Sequence, residues 1–463
     1  MIKSTLIDST RQQDSLTANG AVTHSTSLNY CVDMFFLAGA SRNMSSSDLI
    51  TLFEKARGEN RDLAYRILFW ARDARGGAGE KRFFQIIGAH CSDAYPEEWD
   101  QVAIHTPTFG YWKDVFKIEM PNENNLNWLS IQLEENANSN LLAKWFPRKG
   151  HWFKAMHKYK KITPKEFRKY LVAKTNVVET KMCNKQWSLI DYSAVPSVAM
   201  NTYRNTFVRK DGARFDQFNN AVLDGTAKVN AGVLFPHLLY QALEEGQDET
   251  AVQAQWSSLP NFMEGSKERI MPVCDVSGSM YGLPMEVSVS LGLYISERNE
   301  GIFKDAFMTF SNIPTMEYVQ GDTLASRMRS IESSHWGMNT NLQATFKLIL
   351  KSAVRDLVPV DQMPTKLLII SDMEFDRCGS STNLDAMREQ YELNGYELPE
   401  IIFWNVNGRM GNVPAKCDEP GIGLVSGFSP AILKSILAGK GFKPVDLMLE
   451  AVDGERYASI HID

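Results

Sequence analysis

The chain has few cysteines and none of them are paired in sequence. Its 463 residues hold six, at positions 31, 91, 183, 274, 378 and 417, with no C-x-x-C pair. That scatter excludes a zinc ribbon or a disulfide framework and fits a reducing, cytoplasmic setting. No apolar run approaches the ~18 residues that cross a bilayer, so no membrane partner is expected. The opening stretch, MIKSTLIDSTRQQDSLTANGAVTHSTS, lacks an apolar signal core. Walker-type G-x-x-x-x-G-K, H-E-x-x-H and G-x-S-x-G motifs are all missing. A phosphotransferase with an Asp nucleophile would show D-x-D, and here Ser277 stands in the place of the second acid. His335 could be forced into a hydrolase scheme, but nothing requires it. No enzyme is expected.

The apolar share of 44% and charged share of 22% belong to a soluble globular protein. The length exceeds one ordinary core, so two or three domains are expected. Residues 1–28, rich in Ser, Thr, Asn and Gln, are expected as a flexible N-terminal arm. From Tyr30 the text is helical. Ser46-Ser47-Asp48 offers a cap for a helix through Leu49, Leu52 and Phe53. Asp62 to Ala71 has helical periodicity. In RDARGGAGEKRFFQII, Gly76 and Gly77 break one helix and Glu80 begins the next. Arg75-Gly76-Gly77 is read as that turn rather than as an RNA motif, and His237 as structural. Such helix pairs can stack as a solenoid, although no clean repeat period exists.

The net charge of −6 hides a local excess. Residues 141–215 hold 17 Lys and Arg against Glu166, Glu179, Asp191 and Asp211, a surplus of 13 positive charges. Aromatics run through the same segment, among them Trp145, Trp187, Tyr192 and Phe207, which are expected in the core. Positive charge beside aromatic platforms is the chemistry of single-stranded RNA binding. Candidate contacts are Lys144, Arg148, Lys149, Lys160, Lys161, Lys169, Lys181, Arg204, Arg209 and Lys210. The competing expectation is that the segment docks onto the acidic remainder of the chain.

After about Gly265 the pattern changes. Apolar stretches at 269–274, 305–310, 366–370, 400–405 and 423–425 alternate with helix-like segments at 285–297, 324–331, 342–354, 384–393 and 430–438. Continuous apolar strands between helices predict a parallel sheet covered on both faces. The first strand runs into MPVCDVSGSMYG. Beyond a carboxyl edge, where open parallel sheets bind ligands, D-x-S-x-S sets one carboxylate and two hydroxyls. Such an oxygen-only set suits a hard cation such as Mg²⁺, or another divalent cation, and is too poor in N and S for zinc. HWGMNTNL adds Thr340 and LLIISDMEFD adds Asp372. Glu374 and Asp376 are expected to be solvated.

Asp275, Ser277, Ser279, Thr340 and Asp372, in this order, resemble the metal-ion-dependent adhesion site of von Willebrand factor A domains. The resemblance implies that the two serines and the threonine bind the metal directly, that the aspartates act mostly through water, and that one position stays open for a partner's carboxylate. ARDARGGAGEKRFF, FGYWKDVF, LLAKWFPRKG, VVETKMCNKQWSLIDYSAVPSVAMNTYRNTF and AGVLFPHLLY are together similar to the domain of unknown function 2828 family, over roughly Tyr30 to Asp463. That family is distantly similar to the Ro autoantigen (TROVE) proteins. The resemblance implies a mixed architecture: an all-α helical-repeat (HEAT-like) part over 29–265, then an α/β doubly wound, Rossmann-like von Willebrand factor A domain over 266–463. It also implies a non-enzymatic RNA-binding protein, with single-stranded or structured RNA as partner. The alternative is an adaptor that captures an acidic protein through the metal site and uses no nucleic acid.

Overall fold

The computed structural model describes residues 14–135, 139–309, 314–332, 342–375, 384–438 and 442–463. Its first element is a small antiparallel hairpin of β1 (Asp14–Leu16) and β2 (Val22–His24). Helices then follow one another from Tyr30–Ala38 to Glu249–Ser257. The second part is a six-stranded sheet of β3 (Ile270–Cys274), β4 (Ala306–Thr309), β5 (Thr315–Tyr318), β6 (Lys366–Ser371), β7 (Glu400–Asn405) and β8 (Ile422–Ser426). Its order is β5-β4-β3-β6-β7-β8, parallel throughout except for the β4–β5 pair. β3, β4, β6 and β8 are buried along their whole length, as expected of strands covered on both faces. Among the described residues no helix is long and apolar enough to cross a membrane.

The helix starts carry their own local logic. Asn60 accepts the Leu63 N–H at the head of helix Arg61–Arg72, and Glu80 accepts the Arg82 N–H at the head of Lys81–Ala94. The cap expected at Ser46 is moved by one residue: Ser45 accepts the Asp48 N–H at 3.1 Å. Thr163 and Glu166 form a reciprocal capping box at helix Pro164–Lys174. The sequence expectation missed β5, a four-residue edge strand, and helix Pro444–Val452.

Helices and sheet share one apolar core. It runs from Phe35, Phe69, Trp70 and Trp99 through Ile270, Leu368 and Trp404 to Val452. The change from helix to strand near 265 is therefore not a division between independent cores. Gly39 shows how close the two parts come. A Cβ there would lie 2.4 Å from the Ser426 carbonyl oxygen at the end of β8. Instead the Gly39 N–H donates to Ser426 Oγ at 3.0 Å, and that hydroxyl donates to the Phe35 carbonyl at 2.8 Å. Residues 112–171 build a second apolar cluster around Phe146, Trp152 and Phe167, and residues 190–251 a third around Tyr192 and Phe207.

Residues 14–28, expected within a flexible arm, are packed instead. Thr17, Thr23 and Ser27 are buried. Thr17 Oγ1 donates to the Phe375 carbonyl at 2.7 Å, and His24 exchanges backbone hydrogen bonds with Val413. The polar composition misled because this segment is fixed by hydrogen bonds rather than by apolar burial.

Candidate functional site

β3 and β6 are neighbours, and the chain leaves β3 toward β4 on one side and β7 and β8 on the other. The carboxyl ends of β3 and β6 thus flank the point where strand order reverses, the usual place for a ligand crevice in such sheets. Asp275 follows β3 directly and its N–H donates to the Ile370 carbonyl at 3.0 Å. Its side chain is fully buried. Asp275 Oδ1 accepts the Ser277 N–H at 2.9 Å, closing a tight turn, and Oδ2 accepts the Ser371 hydroxyl at 2.5 Å. Ser277 Oγ and Ser279 Oγ lie 3.1 Å apart.

Asp372 follows β6 and is 1% exposed. Its Oδ1 accepts the Glu374 N–H at 3.2 Å, while its Oδ2 is buried with no hydrogen-bond partner. Burial, with the Asp275 charge beside it, pushes the Asp372 carboxyl up to about 6, and the Glu374 N–H and Ser279 hydroxyl offset part of the rise. Met373 adopts a left-handed φ of 64°, a conformation that costs a non-glycine residue about 1 kcal/mol or more. It is held by its N–H to Ser371 Oγ and by its carbonyl to Asn412 Nδ2, both at 3.0 Å.

The structure therefore brings Asp275, Ser277, Ser279 and Asp372 to one sheet edge. Thr340, Asp376 and His335 lie outside the described residues. Among the described residues no group of three or more His, Cys, Asp or Glu is placed to hold a metal, so a cation here would depend on hydroxyls as well as carboxylates. The residues fit such a group: two adjacent buried carboxylates, one with an orphaned oxygen, form an arrangement that a divalent cation would relieve.

Two residues at this edge have roles that the sequence does not mark. Ser371, which orients Asp275, has no motif to mark it. Glu374 is not solvated as expected but 3% exposed. It lies under the N-terminal hairpin: the Ala18 N–H donates to its Oε2 at 2.5 Å, Asn19 Nδ2 to its carbonyl at 2.7 Å, and Arg409 pairs with it at 3.3 Å.

The basic segment divides under the structure. Arg204 is fully buried, its guanidinium donating to Gln255, Gln247 and Asn201, and cannot reach a nucleic acid. Arg148 is half-buried, and burial lowers its pKa. Lys144 pairs with Glu179 at 2.6 Å, Lys160 with Glu134 at 3.2 Å, and Lys181 donates to the Leu189 carbonyl at 2.9 Å. Lys149, Lys161, Lys169, Arg209 and Lys210 are exposed. So are Lys154, Lys158 and Lys165, which lie outside the candidate contacts named from sequence. Lys154 and Lys158 share one face of helix Gly150–Tyr159, Lys165 and Lys169 share one of Pro164–Lys174, and Lys161 sits in the turn between them. Among the described residues the ion pairs of this segment go to Glu134, Glu179 and Asp211, all in the helical part, and none to the sheet. The aromatics are mostly core: Tyr192 and Phe207 are buried, and Trp145 and Trp187 half-buried.

The fold is thus a mixed one, a helical part followed by a mostly parallel sheet with an oxygen-lined edge. Two family descriptions match adjoining stretches. "Domain of unknown function (DUF2828)" matches residues 129–266 and "Domain of unknown function (DUF7788)" matches residues 269–458. The first of these matches falls within the stretch, Tyr30 to Asp463, over which similarity to that family is expected. An uncharacterized protein of Acanthamoeba polyphaga mimivirus is 27% identical, covering 95% of this chain and 87% of that protein. A crystal structure of the Deinococcus radiodurans Ro (RSR) protein aligns over 92% of this chain and all of that one, at a TM-score of 0.37 and 13% identity.

Proposed function

We propose that this chain is a non-enzymatic RNA-binding protein of Ro-like organisation. In this reading a helical-repeat part over 29–265 supplies the binding surface, and a von Willebrand factor A-like part over 266–463 carries a Mg²⁺ site. The observation that supports it is the exposed lysine surface of helices Gly150–Tyr159 and Pro164–Lys174, which among the described residues no acid of the sheet part neutralises. A group of exposed ammonium ions with no ion pair among the described residues, in a chain of net charge −6, is an electrostatic footprint for phosphates. Contacts to phosphate carry little sequence preference, and the burial of most aromatics leaves few stacking platforms here. Filter binding of mixed-sequence single-stranded RNA to the full chain tests the reading. Affinity weaker than ~10⁻⁴ M at physiological salt would overturn it.

A second reading is favoured by the buried, unpartnered Asp372 Oδ2. Asp275, Ser277, Ser279 and Asp372, with Thr340, would hold Mg²⁺, and an open position on the ion would take a carboxylate from an acidic protein partner. The chelator dependence of protein capture separates a recruiting site from a structural one.

A further inference from the structure

The turn Arg75-Gly76-Gly77 borders a cavity of about 600 Å³ that neither the metal edge nor the lysine surface uses. Arg75, His105, Trp112, Trp128, Gln132 and Arg456 line it, and among the described residues no acidic side chain does. The glycines are there for close approach. A Cβ on Gly77 would lie 2.0 Å from the Trp70 carbonyl oxygen, and one on Gly76 would lie 2.4 Å from Arg456 Nε. The turn is therefore shaped around Arg456. That guanidinium is anchored from behind by the fully buried Asp73, whose Oδ2 accepts from Arg456 Nε at 2.5 Å and from the Tyr457 hydroxyl at 3.0 Å. Arg456 is still 46% exposed, so one edge of its fork remains open. Arg75 is exposed and its guanidinium makes no ion pair among the described residues.

The aromatic part of the lining is equally ordered. Trp112 and Trp128 lie 5.6 Å apart at 40°. Sandwiching a flat ring between them would need roughly 7 Å, twice an ordinary stacking separation. A flat ligand must therefore stack on one indole from outside, and Trp128 is the less buried of the two. Two guanidiniums for an anion and one indole for a planar ring, within a cavity of ligand size, define a composite chemistry.

We propose that this cavity binds a single nucleotide, with its phosphate on Arg75 and Arg456 and its base against Trp128. The site is separate from the lysine surface and does not depend on it. The nucleotide can be free in solution or be the phosphorylated end of a strand, since both offer the same groups.

Isothermal titration of the full chain with adenosine 5′-monophosphate, adenosine and inorganic phosphate tests the proposal. The monophosphate is expected to bind at least about tenfold more tightly than either fragment, because it alone engages both halves of the site. Arg75→Glu, at an exposed residue whose guanidinium has no ion pair among the described residues, should weaken the monophosphate about tenfold or more. Trp128→Leu should weaken it by a similar factor, while Trp128→Phe keeps a ring for stacking and retains most of the affinity. Displacement by a 5′-phosphorylated oligoadenylate, but not by its 5′-hydroxyl form, assigns the site to strand ends. Displacement by neither assigns it to free nucleotide. Monophosphate affinity no better than that of phosphate, or unchanged in Arg75→Glu, overturns the proposal. Charge reversal at Lys158 and Lys165 should leave this affinity unchanged, so failure here and failure of the lysine surface are told apart.

Discussion

The Ser371 hydroxyl donates to Asp275 Oδ2 at 2.5 Å, joining the last residue of β6 to the first residue after β3. In the proposed site Ser371 acts through Asp275, whose carboxylate it orients. Asp275→Ala is expected to abolish Mg²⁺ binding, and Ser371→Ala to weaken it roughly 10–100-fold, the usual effect of removing an orienting partner. Calorimetric titration with Mg²⁺ measures both. Unchanged affinity in Asp275→Ala would remove the ion from this edge.

Glu374 holds the N-terminal hairpin by charge-assisted hydrogen bonds beside the same edge. Glu374→Ala should release it, since the Ala18 amide and Arg409 lose their acceptor. The expected signature is fast hydrogen exchange at Ala18 while the strands of the large sheet stay protected. The cost in global stability should be about 1–3 kcal/mol. Retained protection at Ala18 would mean that the pairing of β2 with Val413 suffices.

Much of this sheet edge could be read from sequence, for a physical reason. Buried parallel strands are unbroken apolar runs, and the polar residue that ends such a run marks the carboxyl edge, as Asp275 and Asp372 do. What failed was polar packing. Thr17, Thr23 and Glu374 look like surface residues until the backbone groups that bind them are known. Arg204 reads like its neighbours Arg209 and Lys210, yet its three amide partners come from positions 201, 247 and 255. The Arg75-Gly76-Gly77 turn was legible as a turn, but its role around Arg456, some 380 residues away, was not.

Glu119 gives a pH dependence with a definite sign. Burial pushes its carboxyl from 4.5 up to about 7, against smaller opposing contributions from Asn125 and Trp99. The folded state therefore holds the proton more tightly than the unfolded chain. Its contribution to stability is complete below about pH 4.5 and is lost as pH rises through 7, by roughly 3 kcal/mol at most. Glu119→Gln should raise stability at pH 8 and change it little at pH 4.5. Urea unfolding of both forms at the two pH values checks this, and equal differences at both would exclude Glu119 as the source.

Lys158, Lys161, Lys165 and Lys169 make no ion pair among the described residues, whereas Lys160 is already held by Glu134. Neutralising phosphates with the first four should give a log–log slope of affinity against salt of about −0.7 per contact, near −3 for this group alone. Reversing Lys158, Lys161 and Lys165 to Glu should flatten the slope by about 2 and weaken single-stranded RNA binding at low salt. Reversing Lys160 should do less to the slope, because its charge is already partly spent on Glu134. These lysines are exposed, so folding should survive, and an unchanged thermal midpoint is the control. The adaptor reading predicts no slope to flatten. A salt titration in which the triple variant and the parent chain run parallel would take RNA away from this surface.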